Sequence, residues 1–274
     1  AAGADLVVQS LHKTLPSLTQ TALLHLQGEL VAEEEVARQL SIFQSSSPSY
    51  PLMASIDQCI RLVEEEGSEW FPRWKDRLTR FSRHVEGLER LRVLCCGKDR
   101  LAEHPAFWGM DPSKLVISTR GTSLTGPQLK KQLRERYALE LEMAQGEYAL
   151  AMTGLWDREE GMDRLARALL TIDGQVERRP AEGTVSLPEA PPQILTIAAA
   201  RKAQGRLVPL SRSAGAICRE YVWAYPPGIP LLAPGQQVTG AVLRSLAEMA
   251  SSGVELHSTS GRLPGELEVV RSLA

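Results

Sequence analysis

The chain has 274 residues, with 31 Lys and Arg against 33 Asp and Glu, and is 43% hydrophobic and 23% charged; this is the balance of a globular protein with room for one large or two modest domains. It excludes the basic excess of a nucleic-acid binder and a polybasic membrane surface; no apolar run reaches the length of a membrane span and no leader peptide opens the sequence, so the cytoplasm is the expected compartment. Of the four cysteines, Cys59 and Cys218 lie in apolar patterns and Cys95 and Cys96 are adjacent, a spacing that fits neither a disulfide framework nor a zinc knuckle; all four read as core thiols, with no metal site expected.

Asp5 to Gln9 holds the apolar, β-branched residues of a short buried strand, and Leu18 to Leu26 reads as a second, which places Ser10-Leu11-His12-Lys13 on the connection between them. Glu29 to Leu40 is a short acidic helix. The stretch Gln44-Ser45-Ser46-Ser47-Pro48-Ser49-Tyr50-Pro51 is a hydroxyl-rich break, because each proline pushes its predecessor out of the helical region. Met53, Ile56, Ile60 and Val63 follow helical spacing up to Gly67, and Phe71, Trp74, Leu78, Phe81, Val85 and Leu88 predict a second long helix over Glu69 to Leu91.

Asp111-Pro112-Ser113 punctuates before a strand at Lys114 to Thr119. Thr125-Gly126-Pro127-Gln128 then reads as a helix start with a reciprocal cap, and Leu129, Leu133 and Tyr137 form the buried face. Strands at Leu139 to Met143 and Tyr148 to Thr153 join through Ala144-Gln145-Gly146, and a helix from Asp157 to Ile172 stops at Gly174. This β-α-β-β-α order predicts a small α/β layer domain. Gly174 to Pro192 is the linker candidate; beyond it come a helix at Ile194 to Ala203, a strand at Arg206 to Leu210, and a turn at Tyr225-Pro226-Pro227-Gly228 between β runs. Thr239 caps the last helix and Gly253 ends it.

Three separated strings carry a resemblance. SxHKTLPxLTQxALLHL around Lys13, SSSPSYPLMASID from Ser45, and YPPGIPLLAPG from Tyr225 closely resemble segments of the bacterial-type ornithine/lysine/arginine decarboxylases, which are fold-type I pyridoxal-phosphate enzymes. The resemblance implies an α/β fold: the end of the large cofactor domain over 1–50, linking helices over 51–110, a small α/β domain over 111–173, a linker over 174–192 and a C-terminal α+β domain over 193–274. It implies that Lys13 forms the internal aldimine with pyridoxal 5'-phosphate, that Ser10 contacts the cofactor phosphate, and that His12 lies beside the cofactor as a catalytic residue. Ser45 matches a hydroxyl that reaches the phosphate of the neighbouring subunit, which implies a homodimer or higher homo-oligomer with a shared active site.

The chemistry suits these residue types. A Schiff base forms from a neutral amine, and a dianionic phosphate takes hydroxyl and N–H donors. The expected reaction is decarboxylation of a basic amino acid, lysine, arginine or ornithine, to a polyamine or its precursor, with no nucleic-acid or membrane partner. Glu220, in an otherwise apolar strand candidate, is a candidate for the substrate's distal cation, set against a reading as an exposed strand-edge acid. One position departs from the family pattern: Gln236 stands where a Glu usually follows the last Pro-Gly.

The sequence opens on Ala1-Ala2-Gly3-Ala4-Asp5, which in the resembling family falls shortly before the lysine, so the chain looks like a C-terminal portion. The 274 residues alone are expected to be inactive. The alternatives are a non-catalytic fragment or regulatory remnant and, third, another fold-type I enzyme such as an aminotransferase, which the YPPGIP string disfavours.

Overall fold

The computed structural model describes residues 3–180, 189–225, 228–251 and 254–271. Part of the predicted 174–192 linker, the Pro226-Pro227 turn and the Gly253 helix stop lie outside the described residues. Helices and open sheets alternate along the chain, as an α/β reading requires. The described residues form four sheets: β1 (Leu6–Ser10) with β2 (Ala22–Leu26); β3 (Arg92–Val93), β4 (Lys114–Ser118), β5 (Met143–Gln145) and β6 (Tyr148–Met152) in the order β3-β4-β6-β5; β7 (Gly205–Pro209) with β11 (Glu266–Val270); and β8 (Val222–Tyr225) between β9 (Ile229–Leu232) and β10 (Glu255–Ser258). The chain divides into two compact units, the first made of Ala1–Ser118, Lys131–Glu142 and Leu150–Val176, the second of Thr119–Lys130, Met143–Ala149 and Glu177–Ala274. These units interleave along the sequence, whereas the sequence-based boundaries are contiguous.

In the first unit, β1 and β2 are antiparallel, with Leu6 opposite Leu26 and Val8 opposite Leu24, and the four-residue helix α1 (Leu11–Thr14) connects them. Directly opposed residues share a face, so Leu6, Val8, Leu24 and Leu26 line one side of the ribbon. That side is open: Val8 is 73% and Leu6 43% exposed. The expectation of two buried strands is therefore corrected, because a two-stranded ribbon has no second strand on either edge and no layer over this face among the described residues. Helix α2 (Glu33–Phe43) starts four residues later than the acidic run suggested.

The two helices expected on either side of Gly67 are one, α3 (Tyr50–His84), 35 residues long. Its apolar stripe runs through the glycine without a change of phase, and Gly67 is buried because its bare Cα makes room for the Phe71 ring one turn on; a Cβ there would meet that ring at 3.3 Å. Pro72 is tolerated inside the helix where both it and Ser68, whose carbonyl loses its donor four residues on, are exposed. Helix α5 (Glu159–Gln175) packs on α3, and its Met162, Leu165, Leu169 and Ile172 are buried. Asp173, 4% exposed, then fastens the chain that leaves α3: its carboxylate accepts the N–H groups of Glu89, Arg90 and Leu91 at 3.1, 2.7 and 2.6 Å. Three charge-assisted bonds are what keep a buried carboxylate in place.

The second unit carries the predicted start of α4 (Gly126–Tyr137), where the Gln128 side chain accepts the Thr125 N–H at 2.9 Å and the Thr125 hydroxyl accepts the Gln128 N–H at 3.3 Å. This is the reciprocal cap that the sequence predicts. The predicted helix after the linker is the six-residue α6 (Ile197–Lys202). The main core gathers Cys218, Val222, Leu232, Val238, Leu267 and Val269 against Val242 and Leu246 of α7 (Gly240–Ser251), whose cap is the predicted Thr239, its hydroxyl accepting the Val242 N–H at 3.2 Å.

The cysteines split. Cys59 and Cys218 are core thiols as read from the sequence, but Cys95 and Cys96 are only half-buried, in a tight turn where Cys95 has φ +53° and Gly97 φ +64°. The adjacent apolar residues belong to the end of β3, and the chain turns away from the core immediately after it.

Candidate active site

The Lys13 turn is held from within by a set of hydrogen bonds centred on Thr21. Leu11 is 2% exposed and anchors α1 in the core, while its N–H donates to the Thr21 carbonyl at 3.1 Å. The His12 Nδ1 donates to the same carbonyl at 2.9 Å. A carbonyl can only accept, so Nδ1 carries the proton and Nε2 is the ring nitrogen left to exchange one. The buried Thr21 hydroxyl lies 2.7 Å from the Ser17 Oγ and 2.7 Å from the Leu18 carbonyl, its one proton shared between them.

Ser17 and Leu18 in turn reach α3, where the Ser55 Oγ lies 3.1 Å from the Ser17 Oγ and accepts the Leu18 N–H at 2.8 Å. On the other side, the Thr14 carbonyl meets the chain beyond β6 at the Leu155 N–H, 3.5 Å away, and Gly154 lacks a side chain where a Cβ would come within 3.3 Å of that carbonyl. The turn is thus fixed at both ends to the first unit. Thr21, Ser17 and Ser55 are residues that the sequence reading did not single out. Ser55 lies inside the second quoted string, whereas Ser17 and Thr21 fall on unspecified positions of the first, and the legible signal is only that each is a small hydroxyl residue.

Lys13 faces outward from this scaffold. Its side chain is 51% exposed and its Nζ lies 3.6 Å from the Glu142 Oε1. An ion pair this open is worth at most about 1 kcal/mol, so Glu142 orients the amine more than it stabilises the fold. Ser10, immediately before α1, is exposed and makes no capping bond. The structure therefore brings Ser10, His12 and Lys13 into one turn, as their spacing suggests.

Ser45 sits elsewhere, in the loop before α3, where its hydroxyl donates to the Ser47 carbonyl at 3.2 Å and accepts the Ser47 N–H at 3.1 Å. This exposed turn is closed on itself. Glu220, in the second unit, is 2% exposed; its Oε2 accepts the Ser260 N–H at 2.8 Å and its Oε1 the Glu268 N–H at 2.6 Å. The reading of Glu220 as an exposed edge acid gives way to a buried carboxylate, each of whose oxygens accepts one backbone N–H. Gln236 closes its own turn, its Oε1 accepting the Ala233 N–H at 2.8 Å, a bond that needs an acceptor oxygen but no charge.

No helix among the described residues is long and apolar enough to cross a membrane. The family model for the Orn/Lys/Arg decarboxylase major domain matches residues 2–126, and that for the Orn/Lys/Arg decarboxylase C-terminal domain matches residues 187–256. The arginine decarboxylase of Bacillus subtilis (strain 168) is 33% identical over 248 residues, covering 87% of this chain and 49% of that protein. The arginine decarboxylase of Halalkalibacterium halodurans is 30% identical over 275 residues, covering 98% of this chain and 55% of that protein. Among solved structures, the constitutive lysine decarboxylase of Escherichia coli superposes with a TM-score of 0.77 at 19% identity, over 96% of this chain and 49% of that one, a likeness of fold. The chain spans about half the length of the relatives it matches.

Proposed function

Because this chain belongs to the Orn/Lys/Arg decarboxylase family, we propose that it serves the pyridoxal-phosphate-dependent decarboxylation of lysine, arginine or ornithine to a polyamine or polyamine precursor, as part of a longer chain. The observation that carries this reading is the Lys13 turn, which presents an amine and a free hydroxyl on the outside of a loop whose inside is fully hydrogen-bonded.

The residues present fit the cofactor. Ser10 and Lys13 are accessible, one as a hydroxyl donor suited to a phosphate and the other as the amine of covalent attachment. When bound, pyridoxal phosphate supplies the electron sink that accepts the pair left behind by departing carbon dioxide. The chain's own part is positional. The Thr21 carbonyl fixes the His12 tautomer and ring plane, which leaves Nε2 to hold or give up a proton next to the lysine. Glu142 holds the Lys13 Nζ until another partner replaces it. Ser45, in its exposed turn before α3, would reach the phosphate of a neighbouring subunit, so that the active unit is at least a homodimer acting in the cytoplasm.

A narrower reading applies to the 274 residues in isolation. The open face of Leu6, Val8 and Leu24 supports a ribbon that needs a cover before the Lys13 site is complete, and on this reading the isolated polypeptide does not turn over. The test is a carbon dioxide release assay with arginine, lysine and ornithine and added pyridoxal phosphate, run on this polypeptide beside the full-length protein that carries it. Turnover of one basic amino acid by the longer protein supports the proposal. Its failure on all three substrates, with the cofactor bound, removes it.

A further inference from the structure

Among the described residues, one cluster of metal-ligating side chains stands apart from the Lys13 turn: Cys95, Asp99 and His104, whose ligand atoms all lie within 4.8 Å of one another. Its geometry follows from the turn after β3. The Leu94 N–H still pairs with the Val116 carbonyl of β4 at 2.9 Å; Cys95 then takes φ +53°, and the Gly97 N–H ties the turn to the Ser82 Oγ of α3 at 2.8 Å. A short helical turn over Leu101–Glu103 brings His104 back over the same spot.

Asp99 is the centre of the cluster. Its Oδ2 accepts the Cys95 N–H at 2.6 Å and the His104 Nε2–H at 2.7 Å, its side chain is 8% exposed, and that of His104 is 23% exposed. The imidazole is held in plane by Phe107, with ring centroids 5.0 Å apart and planes 18° from parallel. An Asp-His pair that merely closed a loop would account for Asp99 and His104. It would not account for a thiol within 4.8 Å of both ligand atoms, on a residue whose left-handed backbone favours Gly or Asn over a side chain such as this.

We propose that Cys95, Asp99 and His104 form a three-ligand site for a divalent transition metal, Zn2+ in the first place. Thiolate, imidazole and carboxylate together select Zn2+ over Mg2+ or Ca2+, which take all-oxygen sets. Metal-ligand bonds of about 2.0–2.3 Å in a tetrahedron put ligand atoms roughly 3.3–3.6 Å apart, so on binding the Asp99–His104 pair opens from 2.7 Å while the thiol, within 4.8 Å of both, closes in. Coordination replaces the Cys95 thiol proton, which leaves to solvent, and the His104 Nε2 proton, the neutral imidazole carrying its proton on Nδ1. Asp99 keeps its bond to the Cys95 N–H and so orients itself as a ligand. Three protein ligands leave one position open, and Cys95 lines a cavity of about 660 Å³ together with Trp74, Leu94 and Leu101. The fourth ligand, water or a small donor molecule, is reached from there.

The test uses the full-length protein that carries this chain, stripped with chelator and titrated with Co2+ and then with Zn2+ against a chromophoric competitor. The expected result is one Co2+ per chain with a thiolate-to-cobalt charge-transfer band, displaced by Zn2+. Cys95→Ser should abolish the band and weaken Zn2+ binding by more than the roughly 10- to 100-fold of an outer-shell change; Cys96→Ser should change neither. His104→Gln should weaken binding as strongly, and Asp99→Asn, which retains an acceptor for the Cys95 N–H, should weaken it with the metal-free fold intact by circular dichroism. Absence of stoichiometric binding at micromolar Zn2+, or binding unchanged in the Cys95 and His104 variants, overturns the site.

Discussion

The Nδ1 of His12 lies 2.9 Å from the carbonyl oxygen of Thr21, so the ring beside Lys13 takes its orientation from backbone nine residues further on. Thr21→Val leaves that carbonyl in place and tests how far the Thr21 side-chain contacts hold it there. It keeps the shape but removes a buried hydroxyl, so that the Leu18 carbonyl keeps only the Thr21 N–H at 3.2 Å and the Ser17 Oγ only Ser55, at a cost of about 1 kcal/mol. Urea unfolding should show that loss, and cofactor affinity should fall with it while Lys13 itself is unchanged.

Lys13→Ala in the full-length protein should eliminate both the visible absorbance of bound pyridoxal phosphate and decarboxylation, because no other amine is placed on this turn. Since the Lys13 side chain is half exposed and its ion pair is open, stability should move by less than about 1 kcal/mol. Retained turnover would place the site elsewhere.

Glu220→Gln separates a structural carboxylate from a substrate-binding one. A single amide oxygen cannot accept from both Ser260 and Glu268, and one N–H is left facing an NH2 group in a buried site. The expected cost is about 1–3 kcal/mol of stability, read as a lower Tm with KM for the amino acid unchanged. A raised KM at unchanged Tm would mean that the carboxylate meets substrate after all.

Burial pushes the Cys218 thiol from 9.0 up to about 12. A raised value means that the folded state holds its proton more tightly than the unfolded one, so this contribution is fully present below about pH 9 and is lost as pH rises toward 12. Burial raises Cys96 and Tyr148 in the same sense. Thermal unfolding across that alkaline range should show a falling Tm, and Cys218→Ala, although less stable throughout, should fall less steeply. An equal slope in both proteins counts against the assignment.

The open face of the β1-β2 ribbon should make the isolated 274-residue polypeptide self-associate. Val8→Lys, at the most exposed apolar position of that face (73%) and opposite Leu24, puts a charge where an added strand or layer would dry it. Sedimentation velocity should show a shift toward monomer. An unchanged distribution would move the association to another surface.

Local chemistry was legible in the sequence. Helical spacing marks α3, α5 and α7, the Thr125 and Gln128 pair marks the start of α4, and Thr239 marks that of α7, because these depend on residues within one or two turns of each other. The three quoted strings placed the chain in its family, and Ser10, His12 and Lys13 share a turn because they are adjacent in sequence. What required the tertiary structure was every relation set by distant partners. Gly67 reads as a stop and is instead a seat for a ring in an unbroken helix. Glu220 reads as available and is consumed by N–H groups 40 and 48 residues away. Cys95 reads as a core thiol, yet a left-handed turn carries it to Asp99 and His104. A pattern of residue types records which groups a segment offers; burial and hydrogen-bond partners depend on what the rest of the chain brings alongside it.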